Sequence, residues 1–444
     1  MEKFVIKGGN ALKGTVQVNG AKNAALKVLV GACLTSEKVV IHNVPLIADL
    51  FVMVEIMKEL GADVVLEDHT VTIQMQQFAH SSIPLDKAAQ ARTSSMFMAP
   101  LLARTGEAII PNPGGCRLGA RPIDRTVEGV ATMNVNITYH SEDGYFHAKT
   151  DGLKATTYHF LKNTHTGTET MILSAALATG TTVLTNAAEE PEIDDLIALI
   201  NAMGGDVKRT AKREITIKGV EKLHGCEFTI SPDRIEVATF AIAAVITGGD
   251  VFILDAHKAQ IDAFMEKFKN TGAGYEEKEN GIRFFSNGTL KAVDVTTGIF
   301  PEFLTDWQAP WAVLMTQATG TSTIHETVFE NKLGYVHDLE RMGATVELFS
   351  PEVDDREAVY NFNLDDDKPE YFHAVKITGP TKLHNAVMTT LDIRAGAAIV
   401  LAALIAKGTS TIFGIEKLDR GYEAFEARLT SLGADIKRVE DDKV

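Results

Sequence analysis

A short turn recurs along this chain: Leu60-Gly61-Ala62-Asp63, Met203-Gly204-Gly205-Asp206, Met342-Gly343-Ala344-Thr345 and Leu432-Gly433-Ala434-Asp435. Thr271-Gly272-Ala273-Gly274 is a close variant. Met133-Asn134-Val135 is a weaker one, in which Asn takes the left-handed place that Gly holds elsewhere. Neighbouring copies are mostly about 70 residues apart, which implies six units of that size. In the same register run six apolar stretches rich in small residues, and they predict helices over 23–34, 93–104, 168–179, 236–247, 306–319 and 393–406. A helix that is apolar on every face is buried. Most of these stretches end at Gly or a polar turn and lead into a strand rich in Val, Ile and Thr, such as Thr181–Leu184 or Thr409–Phe413. Each unit also has an amphipathic helix, for example over 196–203. The expected architecture is α/β, with helices enclosed by sheets, in preference to a doubly wound sheet with incidental repeats.

The 444 residues are enough for two or three domains with ample core. The net charge of −16 argues against a broad nucleic-acid or anionic-membrane surface, so an anionic ligand has to be met by a local cluster of cations. Three widely separated cysteines, Cys33, Cys116 and Cys226, do not read as a disulfide framework or a zinc site. Cys33, inside an apolar helix, reads as packing, and Cys226 reads as structural. The N-terminal residues show no apolar run of signal-peptide length, and the stretch 396–406 is too short to span a bilayer. A cytoplasmic protein is the expectation.

Polar residues stand where the buried helices begin. Lys22-Asn23 opens the first, Arg92 the second, Thr166 to Glu169 the third, Arg234 and Glu236 the fourth, Asp306 the fifth, and Asp392-Ile393-Arg394 the sixth. Helix N-termini carry unpaired N–H groups and partial positive charge, so starts that converge would favour a ligand bearing phosphate and carboxylate. Cys116 lies in Pro113-Gly114-Gly115-Cys116-Arg117-Leu118-Gly119-Ala120-Arg121-Pro122. A thiol beside Arg117 and Arg121 has the setting of a reactive cysteine, and the adjoining glycines suit a loop that closes over substrate.

Several segments resemble the UDP-N-acetylglucosamine 1-carboxyvinyltransferase family, also called UDP-N-acetylglucosamine enolpyruvyl transferase. They are Asn19 to Leu26, the Cys116 loop running into Gly119-Ala120-Arg121-Pro122-Ile123-Asp124, Pro232 to Glu236, Thr305 to Ala309, Glu326-Thr327-Val328-Phe329-Glu330-Asn331, and Leu418 to Tyr422. The resemblance covers nearly the whole chain, in order. It implies two inside-out α/β barrel domains of three units each, one over about 22–230 and the other combining 1–21 with 231–444, with the active site in the cleft between them. It implies transfer of the enolpyruvyl group of phosphoenolpyruvate to the 3′-hydroxyl of UDP-N-acetylglucosamine, with release of phosphate, as the first committed step of peptidoglycan synthesis. Cys116 would be the general acid and the target of fosfomycin. Asp306 would be the base. Lys22, Arg92, Arg121 and Arg420 would hold phosphoenolpyruvate, with Asp392 and Arg394 close by. Asn23 would contact the sugar, and 121–125 (Arg121, Pro122, Ile123, Asp124 and Arg125) the uracil. Lys162 and the loop Thr164-His165-Thr166 would meet the diphosphate, and Val328 falls in a matched segment counted with the substrate site. Adding an alcohol across an enol ether needs one proton delivered to carbon and one removed from the hydroxyl, and this calls for no metal or redox cofactor.

The chain departs from the family at three places and adds a fourth feature. The diphosphate loop usually reads Ser-Val-Gly-Ala-Thr-Glu and is here Thr164-His165-Thr166-Gly167-Thr168-Glu169, where His165 would either touch phosphate or cap the helix. Lys332 stands where an Arg is usual, and loses a bidentate fork. Thr126 replaces a common His. An acidic stretch over 354–367 reads as a solvated loop. A different nucleotide acceptor, or an inactive regulatory paralogue that binds the nucleotide sugar, are the alternatives. The shikimate 3-phosphate enzyme is disfavoured by the loop cysteine.

Overall fold

The computed structural model of the chain describes residues 2–112 and 123–440. They form two compact units, one from the described residues up to 19 and from 232 onward, the other from 20–112 and 123–231. Each has its own apolar core.

The six predicted buried helices are present. The first is Lys22–Ala32 and the second Met98–Thr105, entered through a 3-10 turn at Arg92–Phe97. The third is His165–Ala175 and the fourth Arg234–Ile246. The fifth is Gln308–Thr316, entered through the 3-10 turn Thr305–Trp307, and the sixth is Ile393–Ile405. The sixth is buried over every residue but Ile405, and the fourth over every residue but Ile246, as their all-round apolar sequences require. The third starts earlier than its apolar run, because Thr164 caps it: the Thr164 hydroxyl accepts from Gly167 N at 3.2 Å. The recurring turn has one physical cause. Gly61, Gly204, Gly272, Gly343 and Gly433 all have φ between 81° and 103°, and Asn134 has φ 67°. The left-handed residue ends a surface helix and sends the chain into the next strand.

Six sheets match the six units, five with four strands and one with three among the described residues. In the four-stranded sheets a short edge strand runs parallel to its neighbour, as Thr157–His159 does beside Thr181–Thr185 and Val387–Thr389 beside Thr409–Phe413. The remaining strands pair antiparallel. In the three-stranded sheet, Glu107–Pro111, Tyr145–Lys149 and Asn136–His140, the parallel edge is reduced to an isolated bridge between Ser82 and Ile109. Among the described residues the sheets remain separate and do not join into a closed hydrogen-bonded barrel. The N-terminal segment adds a strand to two sheets. Glu2–Lys7 lies between Thr409–Phe413 and Asp435–Glu440, and Lys13–Gln17 runs parallel to Asp250–Leu254.

Aromatic residues anchor two segments of the unit formed by the two ends of the chain, and one expectation is refined. Trp307 and Trp311 are core residues, 1% and 0% exposed, stacked edge-on around Phe264 and Phe303. The acidic stretch is more than a solvated loop. Tyr360 and Phe362 are buried within it and stack on His373, whose Nε2 lies 3.0 Å from Asp367 Oδ2. The acidic composition masked two aromatic anchors.

Asp195, on the surface helix Pro191–Ala202, is buried and accepts from the N–H and hydroxyl of Ser231 at 3.1 and 2.7 Å. Burial pushes its pKa up to about 6, against the opposing pull of those hydrogen bonds. Between the ordinary value of 3.8 and about 6 the folded state therefore binds more protons than the unfolded one. Asp195 thus costs stability as pH rises through that window, and the cost is constant above it. Asp195→Asn should melt higher than the parent at pH 7, with the advantage shrinking towards pH 4. Thermal melts across that range check this, and a difference that does not vary with pH would contradict it.

Candidate active site

In the unit formed by the two ends of the chain, three helix starts meet at one carboxylate. Asp392 caps the sixth buried helix, its Oδ1 accepting from Arg394 N at 2.9 Å and Ala395 N at 3.0 Å. This cap fixes the first turn, and Arg394 projects from it to donate Nε–H to Asp306 Oδ1 at 3.2 Å. Lys332 Nζ approaches the same oxygen at 3.7 Å. Arg234, first residue of the fourth helix behind its cap Asp233, adds further positive potential. Lys332 and Arg394 are almost closed to solvent, at 4% and 7% side-chain exposure, while Asp306 keeps 29%. The carboxylate is thus the open member of the group.

Burial alone would raise the Asp306 pKa. Lys332, Arg394 and Arg234 more than offset it and hold the carboxyl well below the usual range. Asp306 is therefore ionised across the neutral pH range. Its position is set from below by Glu326, which is buried. Glu326 Oε2 accepts from Thr305 Oγ1 at 2.8 Å and Gln308 Nε2 at 2.9 Å, on either side of Asp306. Glu326 Oε1 accepts from the N–H groups of Val328 and Phe329, at 2.8 and 3.0 Å. One carboxylate thereby ties the fifth helix start to the Val328 segment. The Arg394 guanidinium carbon lies 5.3 Å from the centroid of the Tyr422 ring. Arg420 is partly buried, two residues before Tyr422.

In the other unit, Lys22 begins the first helix and pairs with Asp49 at 2.8 Å, both nearly closed to solvent. The Asn23 carbonyl accepts from Lys27 Nζ at 2.6 Å. Lys27 reaches Glu169 at 3.5 Å, and His165 Nε2 lies 3.1 Å from the same carboxylate. The starts of the first and third helices are joined through Glu169, which is wholly buried. His165 is therefore not the helix cap, a role Thr164 fills. Burial draws the imidazole towards neutrality, but Glu169 and Glu190 outweigh it and raise its pKa, with Lys27 opposing them. Thr166 accepts from the Thr170 hydroxyl at 2.8 Å, and Lys162 precedes the loop, partly buried. Arg92 opens the 3-10 turn into the second helix. Ile123 is buried, and Asp124 and Arg125 begin the helix Asp124–Ala131. Thr126, in its first turn, is also buried.

Cys116, Arg121 and Pro122 lie outside the described residues. Burial pushes the Cys33 thiol up to about 12 and also raises Cys226, so neither carries the signature of a reactive thiol. Four residues that shape the site were not singled out as site residues from sequence: Asp49, Glu169, Glu326 and Lys332. Glu326 and Lys332 lie in or beside a segment quoted for the resemblance, and Lys332 supplies as a point charge what it lacks as a fork.

The chain matches the family model described as EPSP synthase (3-phosphoshikimate 1-carboxyvinyltransferase) over residues 6–429. A UDP-N-acetylglucosamine 1-carboxyvinyltransferase from Acidobacterium capsulatum is 40% identical over 444 residues, covering 99% of this chain and 96% of that protein. The chain belongs to the UDP-N-acetylglucosamine 1-carboxyvinyltransferase family. A second member, from Magnetococcus marinus, is 39% identical over 99% of this chain and 100% of its own. Among solved structures, the enolpyruvyl transferase NikO from Streptomyces tendae superposes with TM-score 0.85 at 24% identity, over 98% of both chains. EPSP synthase from Acinetobacter baumannii does so with TM-score 0.73 at 18% identity, over 99% of this chain and 100% of its own. These two likenesses are of fold, and the mixed α/β architecture of separate sheets around buried helices is that of enolpyruvyl transferases. No helix among the described residues is long and apolar enough to cross a membrane.

Proposed function

We propose that this chain transfers the enolpyruvyl group of phosphoenolpyruvate to the 3′-hydroxyl of UDP-N-acetylglucosamine, releasing phosphate, in the cytoplasm. The acceptor follows the names of the relatives that match over full length. The observation that carries the chemistry is the ionised, partly open Asp306 held among Lys332, Arg394 and Arg234.

The protons balance as follows. Asp306 takes the proton of the acceptor hydroxyl as its oxygen bonds to the central carbon of phosphoenolpyruvate. Cys116 gives a proton to the methylene carbon. The tetrahedral adduct then expels phosphate while that carbon gives a proton back. Asp306 is a weak base while three cations hold its charge. A phosphoenolpyruvate anion drawn to Arg394 competes for that charge, so Asp306 gains proton affinity as the donor substrate binds. Lys22, Arg92, Arg121 and Arg420 would complete the anion site. Asn23, 121–125, Lys162 and 164–166 would serve the nucleotide sugar. His165, whose pKa Glu169 and Glu190 raise against burial, favours a diphosphate near the third helix start.

Phosphate release measured with UDP-N-acetylglucosamine, other UDP-sugars and shikimate 3-phosphate tests the reading. Turnover with UDP-N-acetylglucosamine should exceed the rest, and a preference for another acceptor would overturn it. Arg394→Ala and Arg420→Ala should each raise the KM for phosphoenolpyruvate by about tenfold or more, since each removes a charge-assisted contact. The KM for the nucleotide sugar should change less. A change confined to the nucleotide sugar would contradict the assignment.

A further inference from the structure

The three-stranded sheet carries chemistry that enolpyruvyl transfer does not use. Its last two strands, Asn136–His140 and Tyr145–Lys149, form a hairpin. Strand alternation puts Thr138, His140, Tyr145 and His147 on one face, opposite the face of Ala148 and Phe146. The rings of His140 and His147 lie stacked, with centroids 4.1 Å apart and planes at 21°. Asp143, in the turn, sits 2.9 Å from His147 Nε2 through Oδ2. One ligand atom from each of His140, Asp143 and His147 lies within 4.8 Å of the others.

The geometry points to a binding site for a borderline divalent transition-metal ion of the Zn²⁺ class, held by His140, Asp143 and His147. Two imidazoles and one carboxylate are a donor set for Zn²⁺, with positions left for water, and they favour it over Mg²⁺ or Ca²⁺, which prefer oxygen. The supporting contacts are in place. Asp143 Oδ1 accepts from Tyr145 N at 2.9 Å, which turns Oδ2 towards the histidines. Thr138 Oγ1 lies 3.1 Å from His140 Nε2 and steadies that ring. Such outer contacts orient metal ligands.

The site adjoins the segment that leads to Cys116. Glu107–Pro111 pairs with Tyr145–Lys149, and Asn112 N donates to Gly144 O at 3.0 Å in the same turn as Asp143. An ion clamping the turn to both strands would stiffen the anchor of Asn112.

The test is a calorimetric titration of the full chain with Zn²⁺ alone, with Mg²⁺ in parallel, on the parent, a His140→Ala/His147→Ala double variant and Asp143→Asn. The parent should bind one equivalent of Zn²⁺ that the double variant lacks. Asp143→Asn should weaken it by about tenfold or more, and Mg²⁺ should not compete. Amide exchange over 107–112 should slow with Zn²⁺ in the parent only. All three ligands are surface residues, and the single-atom change in Asp143→Asn repeats the test should the double variant fold poorly. An unchanged isotherm in the variants, or equal competition by Mg²⁺, overturns the site. Neither readout depends on turnover, so the result is independent of the proposed reaction.

Discussion

Asp306→Ala should lower turnover by about 10²–10⁴-fold while nucleotide-sugar affinity stays within about tenfold. The lost group acts on a proton that moves only as the new C–O bond forms, so its removal is felt in the transition state. The surroundings sharpen the expectation. Without the carboxylate, the closed-in charges of Lys332 and Arg394 lose their counter-ion. They should then hold a phosphoenolpyruvate anion at least as well as before. A variant that binds both substrates and makes no product is the expected outcome of calorimetry combined with a phosphate-release assay. Loss of nucleotide-sugar binding along with activity would make Asp306 a binding or structural residue. Asp306→Asn, which keeps the shape and one acceptor for Arg394, separates lost charge from lost packing.

Cys116→Ser should reduce turnover near neutral pH by at least about 10²-fold, because a hydroxyl is a far weaker acid than a thiol. Cys116→Asp should retain activity, since a carboxylic acid also delivers a proton. Fosfomycin should inactivate the parent and spare the Asp variant. The other two thiols sharpen the reading of this experiment. Cys33 is wholly buried and Cys226 is raised by burial, so alkylation that tracks inactivation should map to Cys116 alone. Full turnover in Cys116→Ser would remove it as the proton donor.

The sequence exposed the buried helices because their pattern is local. A run such as Ile393 to Ile405 is apolar on all sides wherever it is placed, and a Gly with positive φ after a surface helix leaves a fixed trace. Caps were half legible. Asp392 and Thr164 stand at their helix starts in the chain, but that Arg394 would then reach Asp306, 88 positions away, is a matter of packing. Lys22 with Asp49, Lys27 with Glu169, and Glu326 with Thr305 are likewise pairs across elements, and no spacing rule announces them. The acidic stretch misled for the opposite reason. Its charge was read, and the buried Tyr360 and Phe362 inside it were not.

The strand Glu2–Lys7 has both of its neighbours, Thr409–Phe413 and Asp435–Glu440, at the far end of the chain. During synthesis it emerges long before either neighbour and waits for some 400 further residues before its backbone groups are paired. Residues 20–231, by contrast, are contiguous and have a core of their own. Vectorial synthesis therefore lets that segment fold while the other unit is still an open chain whose closure over some 400 residues is slow. The nascent protein spends its translation as one finished body with two unfinished tails. A premature stop that removes Asp435–Glu440 would leave Glu2–Lys7 with one edge bare.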